Sequence, residues 1–398
     1  MAITTPSQPL VHRALIEHIR PYYDSTEAVV VTGMRRTGKT TLLSMIREEL
    51  ETDNVLSFDL EAITNRTLFE RENYDAIATQ LKQIAPHPDE RLFVFLDEIQ
   101  TAPNIPSVAK YLIDHHNVKF FMSGSASYYL RNHFSESMAG RKYIFELFPF
   151  SFAEYLRAQG DESLMRVYDG APSEYQHNVL SPHFDMYLTW GGFPGVTFAQ
   201  TADEKRRKLD DVFSSYYQLE VEQLSDFRKK DAVHGLIMLL MRNTGSKLDA
   251  SKLSRDLGIS RLTVLEYLAF LEDTYLLHSV PAYSSSPSVE TRAQKKYYLA
   301  DVGLVQHFAQ VSEGALFENA CYSLLKARGD TIHYYQTRDG QEIDFIVDRS
   351  HAYECKLSVH EQDIRTLVRR ASKLGITEYH VLSRSYLEHQ NAMCAYQI

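Results

Sequence analysis

Apolar positions fall into two kinds of run along the chain. Short, nearly continuous runs rich in β-branched and aromatic residues occur at 28–32 (AVVVT), 54–59 (NVLSFD), 91–97 (RLFVFLD), 118–122 (VKFFM) and 142–147 (KYIFEL). Between them lie stretches whose apolar positions recur every three to four residues. The first kind reads as strands buried on both faces, the second as amphipathic helices packed over them. Helices are expected over 10–20 (Leu10, Leu15, Ile16, Ile19), over 41–50 and, with polar interruptions, over 62–85. Strands alternating with helices predict an α/β domain built on a parallel sheet.

Beyond residue 150 the strand pattern stops. Residues 150–156 read as a linker turning into a helix, and 203–226 carry a long amphipathic pattern (Leu209, Val212, Phe213, Tyr216, Tyr217, Leu219, Leu224). Together with 233–241 this predicts a small helical lid. Residues 246–280 predict a helix over 250–257, a turn at Gly258, a second helix capped by Ser260, and strand character over 275–280. That is the order of a helix-turn-helix with its ribbon, a winged helix. In a major groove the second helix would present Arg261, Thr263 and Glu266, which is not a strongly basic face. Residues 284–288, with Pro287, are the linker candidate, and the texture changes again from Lys295. A helix opening at Leu316 and running to about Arg328 precedes strands over 331–337, 342–347 and 351–357, with a turn at Asp339–Gly340. The expected domain limits are 1–150, 151–242, 243–283 and 284–398.

Composition narrows the function classes. A hydrophobic fraction of 44% with 24% charged residues is that of an ordinary globular chain. A formal net charge of −10 argues against a generally basic nucleic-acid coat protein. Cys321, Cys355 and Cys394 have neither metal-ligand spacing nor the pattern of a disulfide framework. The first 20 residues lack the apolar core of a signal peptide, and no run approaches a membrane span. A cytoplasmic, reducing setting without membrane partners is the expectation. The basic run at 205–208 reads as a solvated helix face, or else as a contact to nucleic acid.

The chemistry begins at 28–43, AVVVTGMRRTGKTTLL. A strand ends at Gly33, a helix opens with Lys39, and the loop between has the form G-x-x-x-x-G-K-T. That spacing wraps backbone N–H groups around the phosphates of a nucleotide, so Gly33, Arg35, Arg36, Thr37, Gly38, Lys39, Thr40 and Thr41 are the candidate nucleotide-binding residues. Lys39 reaches the outer phosphates, Thr40 offers a hydroxyl to Mg²⁺, and the helix N-terminus faces the negative charge. The apolar run at 91–97 delivers Asp97 and Glu98 to a sheet edge: Asp97 as the metal-side acid, Glu98 as the group that orients or deprotonates the attacking water. Ser123 or Ser125, at the end of the fourth strand, is placed to sense the γ-phosphate, unless it serves only as a helix N-cap. Arg141 is placed to reach a nucleotide in its own subunit or in a self-associated neighbour's, or else lies on the surface.

Taken together, GMRRTGKTTLL, FLDEIQ, MSGSAS, GRKYIFELFPFSFAEYL and WGGFP resemble the AAA-type ATPases of bacteria and archaea that carry a nuclease-like C-terminal domain. The resemblance covers nearly the whole chain. It implies ATP with Mg²⁺ at the loop, Asp97 on the metal, Glu98 as catalytic acid, and Ser125 as the sensor at the tip of the fourth strand. Glu318, Asp344, Glu354 and Lys356 likewise resemble the D…E-x-K core of restriction-endonuclease-like folds, with Glu354 and Lys356 on one strand face. This implies a second Mg²⁺ or Mn²⁺ beside a scissile phosphate. The expectation is a P-loop parallel sheet with a helical lid, a winged helix and a C-terminal α/β domain. Its ATP cycle would regulate a DNA-directed domain; the alternative is a nucleotide-gated DNA- or protein-binding switch that cuts nothing.

Overall fold

The computed structural model describes residues 10–124, 138–223, 230–284, 286–337 and 339–398. The chain forms two compact units: residues 1–148 with 273–275, and residues 149–272 with 276–398.

The first unit is a five-stranded sheet of β1 (Ala28–Thr32), β2 (Val55–Asp59), β3 (Leu92–Asp97), β4 (Val118–Ser123) and β5 (Lys142–Glu146). The order is β2-β3-β4-β1-β5 and every pairing is parallel. Residues of β1, β3 and β4 are buried along their whole length, as their unbroken apolar runs require. Alternation divides them between two cores. Val30, Val94, Leu96, Phe120 and Met122 pack beside Ile77, Leu81, Val108 and Leu112 of the helices Tyr74–Ile84 and Ile105–His116. Val29, Val31, Phe95 and Phe121 pack on the opposite side, beside Leu42, Leu43 and Ile46 of the helix Lys39–Glu49 and Ile16 and Ile19 of Leu15–Ile19. Each such side chain contributes about 1.5–3 kcal/mol through burial. The helix expected over 10–20 starts only at Leu15 and passes at its end into a 3-10 turn, Arg20–Tyr22, that contains Pro21. What matters for the site is the order. With β4 inserted between β1 and β3, three parallel strands end side by side on one edge, and the loops that leave them meet there.

The second unit begins with helices Phe152–Ala158, Glu162–Tyr168, Glu174–Trp190, Ala202–Tyr216 and Lys230–Arg242. The 203–226 pattern leaves α-helical geometry at Tyr217, where a π-helical turn, Tyr217–Gln223, takes over; its last residues lie outside the described ones. The basic run at 205–208 is not wholly solvated, since Lys205 is buried with its ammonium 5.9 Å from the Trp190 ring centroid. Helices Ala250–Leu257 and Arg261–Asp273 flank Gly258, whose φ of 62° makes the turn, and Ser260 Oγ accepts the Thr263 N–H at 3.1 Å. After them β6 (Leu277–Val280) pairs antiparallel with β7 (Lys296–Leu299). The stretch at 284–288 therefore lies inside the connection of two paired strands. Pro287 opens the helix Pro287–Arg292 there, a position where its missing N–H costs nothing.

The C-terminal part is a mixed sheet of β8 (Ile332–Gln336), β9 (Glu342–Val347), β10 (His351–Lys356), β11 (Glu378–Ser383) and β12 (Ala392–Cys394), in the order β12-β11-β10-β9-β8. Strands β8, β9 and β10 are antiparallel neighbours, whereas β10, β11 and β12 run parallel. Helices Glu313–Ala327 and Glu361–Lys373 accompany it. No helix among the described residues is long and apolar enough to cross a membrane.

The WGGFP motif has a packing role in this unit. Gly191 ends the helix Glu174–Trp190, and Gly192 donates its N–H to Asp301 Oδ2 at 2.8 Å. Asp301 Oδ1 accepts the N–H groups of Gly303 at 2.8 Å and Leu304 at 3.3 Å. A Cβ on Gly191 would lie 2.0 Å from Asp301 Oδ1, and one on Gly192 2.2 Å from the Phe150 carbonyl oxygen. The backbones thus meet around one buried carboxylate. Burial pushes the Asp301 carboxyl up to about 6, against the opposing pull of the three N–H groups. Asp301→Ala would strand those buried donors, costing about 1–3 kcal/mol in urea unfolding. Because the folded state takes up the proton at higher pH than the unfolded chain, Asp301 contributes more stability as pH falls from 6 toward 4. The penalty of Asp301→Ala is expected to grow over that window; a penalty that shrinks there would contradict this assignment.

Candidate nucleotide site

The loop after β1 is shaped by left-handed backbone at three positions: Gly33 (φ 136°), Arg36 (φ 65°) and Gly38 (φ 96°). Gly33 admits no side chain, since a Cβ would lie 2.3 Å from the Leu147 carbonyl oxygen. The loop is braced from behind. Buried Arg13 donates to the Thr37 carbonyl at 2.8 Å and to the Phe148 carbonyl at 2.6 Å, and Thr37 Oγ1 donates to the Met34 carbonyl at 2.9 Å. Gly38 caps the helix Lys39–Glu49, and its carbonyl accepts the Leu42 N–H at 2.9 Å, so the helix axis starts at the loop. Lys39, only 7% exposed, curls back into the loop and donates to the Gly33 carbonyl at 3.0 Å and the Met34 carbonyl at 2.9 Å.

Asp97, at the end of β3, is 8% exposed and joins three elements. Its Oδ2 accepts the Thr40 hydroxyl at 2.5 Å, and its Oδ1 accepts the Glu98 N–H at 3.0 Å and the Ser123 hydroxyl from the end of β4. Thr40 and Asp97, predicted from separate motifs 57 positions apart, are in contact. Their oxygens form the hard donor set that Mg²⁺ takes, so the residues present fit that ion. Glu98 adopts left-handed backbone (φ 54°, ψ 46°), a strain of roughly 1–3 kcal/mol of the sort held at functional sites. Its carboxylate accepts a hydrogen bond from the Gln100 amide. Burial, followed by the charge of Glu98, raises the Glu61 carboxyl above its ordinary range.

Other predicted positions are placed differently. Ser125 lies outside the described residues; Ser123, its neighbour on β4, makes the contact to Asp97. Arg141 is ion-paired on the surface with Asp114, Nε to Oδ1 at 2.7 Å. Arg13, Gln100 and Glu61 were not singled out from sequence. Only Gln100, inside FLDEIQ, sat next to a signal.

In the C-terminal part, Glu318, Asp344, Glu354 and Lys356 are brought near one another, with Asp344 and Glu354 on adjacent strands as expected. Cations stand among these carboxylates in the structure. No group of three or more His, Cys, Asp or Glu side chains among the described residues is arranged to hold a metal ion. Lys296 on β7 stands among them: its ammonium lies 3.0 Å from Glu318 Oε1 and 4.0 Å from Asp344 Oδ1, and also pairs with Glu342. Glu354 turns instead to Lys356, at 2.9 Å, and Arg370, at 3.6 Å. Lys296 and Glu342 were missed, although a lysine opening an apolar strand and a second acid two residues before Asp344 were both visible.

Comparison with known proteins adds the following. Residues 25–156 match the family model described as an AAA domain, 181–315 a domain of unknown function (DUF8612), and 313–392 another domain of unknown function (DUF4143). An uncharacterized protein of Haemophilus influenzae is 25% identical over 371 residues, spanning 87% of this chain and 88% of that one. One from Methanocaldococcus jannaschii is 24% identical over 330 residues, spanning 80% and 71%. Among solved structures, the Walker-type ATPase of Pyrococcus abyssi is 13% identical with a TM-score of 0.47, covering 77% of this chain and 99% of that one. The family match covers β1 to β5, with the loop and both acids inside it. Residues 25–156 of this chain are thus similar to AAA domains.

Proposed function

We propose that this chain binds ATP with Mg²⁺ at the 33–41 loop, hydrolyses it, and uses the nucleotide cycle to govern the activity of the residues beyond 150. The observation that carries the reading is the Asp97 carboxylate, shared by Thr40 of the loop and Ser123 of β4. Phosphate oxygens would be received by the backbone N–H groups of Gly33, Arg35, Arg36, Thr37 and Gly38 and, at the head of the helix, Lys39, Thr40 and Thr41. Lys39 would exchange its two loop carbonyls for the outer phosphates, a substitution of neutral acceptors by charged ones that favours binding. Thr40 and Asp97 would hold Mg²⁺, which when bound neutralises charge developing on the phosphoryl oxygens. Glu98, once released by Gln100, would orient the attacking water and take its proton. Ser123, Ser125 or both would position that water from the tip of β4. Arg141 would have to leave Asp114 to reach a nucleotide, its own or a neighbour's.

For the residues beyond 150, one observation favours the binding switch over the nuclease. The exposed positions on the helix Arg261–Asp273 are Arg261, Leu262, Leu265, Glu266 and Ala269, with Leu262 66% exposed. A face with one base, one acid and two leucines suits a protein partner better than a phosphate backbone.

Lys39→Ala is expected to weaken binding of a fluorescent ATP analogue about 10- to 100-fold, the worth of charged hydrogen bonds of roughly 1.5–3 kcal/mol, with the circular dichroism unchanged. Glu98→Gln should keep that affinity while steady-state hydrolysis falls about 100-fold or more. If wild type and Glu98→Gln release phosphate at the same rate, with or without single-stranded DNA, duplex DNA or RNA, the hydrolytic reading fails.

A further inference from the structure

The acids of the C-terminal part are divided between two sets of cations. Lys296 is 5% exposed, and its ammonium is met by Glu318 Oε1 at 3.0 Å, by Glu342 Oε1, and by Asp344 Oδ1 at 4.0 Å. These oxygens are held from outside the cluster as well. Tyr298 donates its hydroxyl to Glu318 Oε1 at 2.6 Å, and the Cys355 N–H donates to Asp344 Oδ2 at 2.8 Å. The ring centroid of Tyr334 lies 5.7 Å from the ammonium. Glu354, 8% exposed, is taken by Lys356 and Arg370, and Arg370 is anchored to the Glu342 carbonyl at 2.6 Å.

Three fixed cations thus face four carboxylates. Burial, with the charges of Glu318 and Glu354, pushes the Asp344 carboxyl well above its usual range. Burial disfavours the charge on Lys296, but Glu318, Asp344 and Glu342 outweigh it and keep the ammonium protonated. A hard divalent ion needs six or more oxygens at 2.0–2.6 Å, roughly, and charged neighbours that it does not repel. Here the convergence point of three carboxylates already holds a positive charge on a strand of the fold.

We propose that Lys296 is the resident cation of this pocket: it holds Glu318, Glu342 and Asp344 where a nuclease would seat a divalent metal, so the C-terminal domain works without metal and cuts no phosphodiester. The inference is independent of ATP hydrolysis. It leaves the domain a binding or coupling module, and makes the residue opposite D…E-x-K, rather than the motif itself, decide between metal and no metal.

The test counts Mn²⁺ bound to the nucleotide-free full chain by electron paramagnetic resonance. Wild type and Glu318→Gln are expected to bind the same number of Mn²⁺ per chain. Lys296→Ala is expected to bind one more than wild type, and Lys296→Ala with Glu318→Gln to return to the wild-type number. A wild-type Mn²⁺ that disappears in folded Glu318→Gln overturns the proposal, as does a folded Lys296→Ala that gains none. If Lys296→Ala does not fold, the comparison of wild type with Glu318→Gln decides alone. Plasmid nicking by wild type in Mn²⁺ that is lost in Lys356→Ala would equally overturn it.

Discussion

The first unit is organised by one carboxylate. Asp97 ends a strand of six buried residues, and its two oxygens are engaged by the hydroxyl of Thr40 and the hydroxyl of Ser123, each from a different element. For those groups to meet, β1, β3 and β4 must be parallel, must end on the same edge, and must have β4 in the middle. A slip of one residue in β3 would turn Asp97 to the opposite face and send an apolar side chain to the loop. The two apolar layers fix that register, and so the packing of Val29, Val94, Leu96 and Phe121 determines where the chemistry sits. The loop is held with the same economy. Arg13 braces its carbonyls, Gly33 lies against Leu147, and Lys39 fills its centre.

Much of this was legible in the sequence because the signals are local. A buried parallel strand must be an uninterrupted apolar run, and a phosphate loop needs glycines at set spacing, so both are readable within a dozen residues. Interactions made over long range were not. Nothing near Arg13 predicts that it would brace the carbonyls of Thr37 and Phe148. Nothing in WGGFP announces that two of its residues pack against Asp301 and Phe150, more than 100 and about 40 positions away in turn. Pro287 looked like punctuation and instead opens a helix between two paired strands, because β6 and β7 pair with each other rather than with local sequence.

The two acid clusters show how far residue type alone carries. Both combine aspartate and glutamate with a nearby lysine, yet the surroundings give them opposite characters. Asp97 meets a hydroxyl at the mouth of a loop and the head of a helix, an arrangement that welcomes a hydrated divalent ion beside phosphates. Asp344 and Glu318 meet an ammonium in a site bordered by Tyr298 and Tyr334. A D…E-x-K pattern records the side chains along two strands but not the residue that faces them from a third, here Lys296.

The central claim, that Thr40 and Asp97 form the seat of Mg²⁺ beside the bound nucleotide, is tested most directly by titrating a fluorescent ATP analogue with and without Mg²⁺ into wild type and Asp97→Asn. Mg²⁺ is expected to tighten binding to wild type, and the tightening to be lost in Asp97→Asn. An undiminished Mg²⁺ effect in that variant would contradict it.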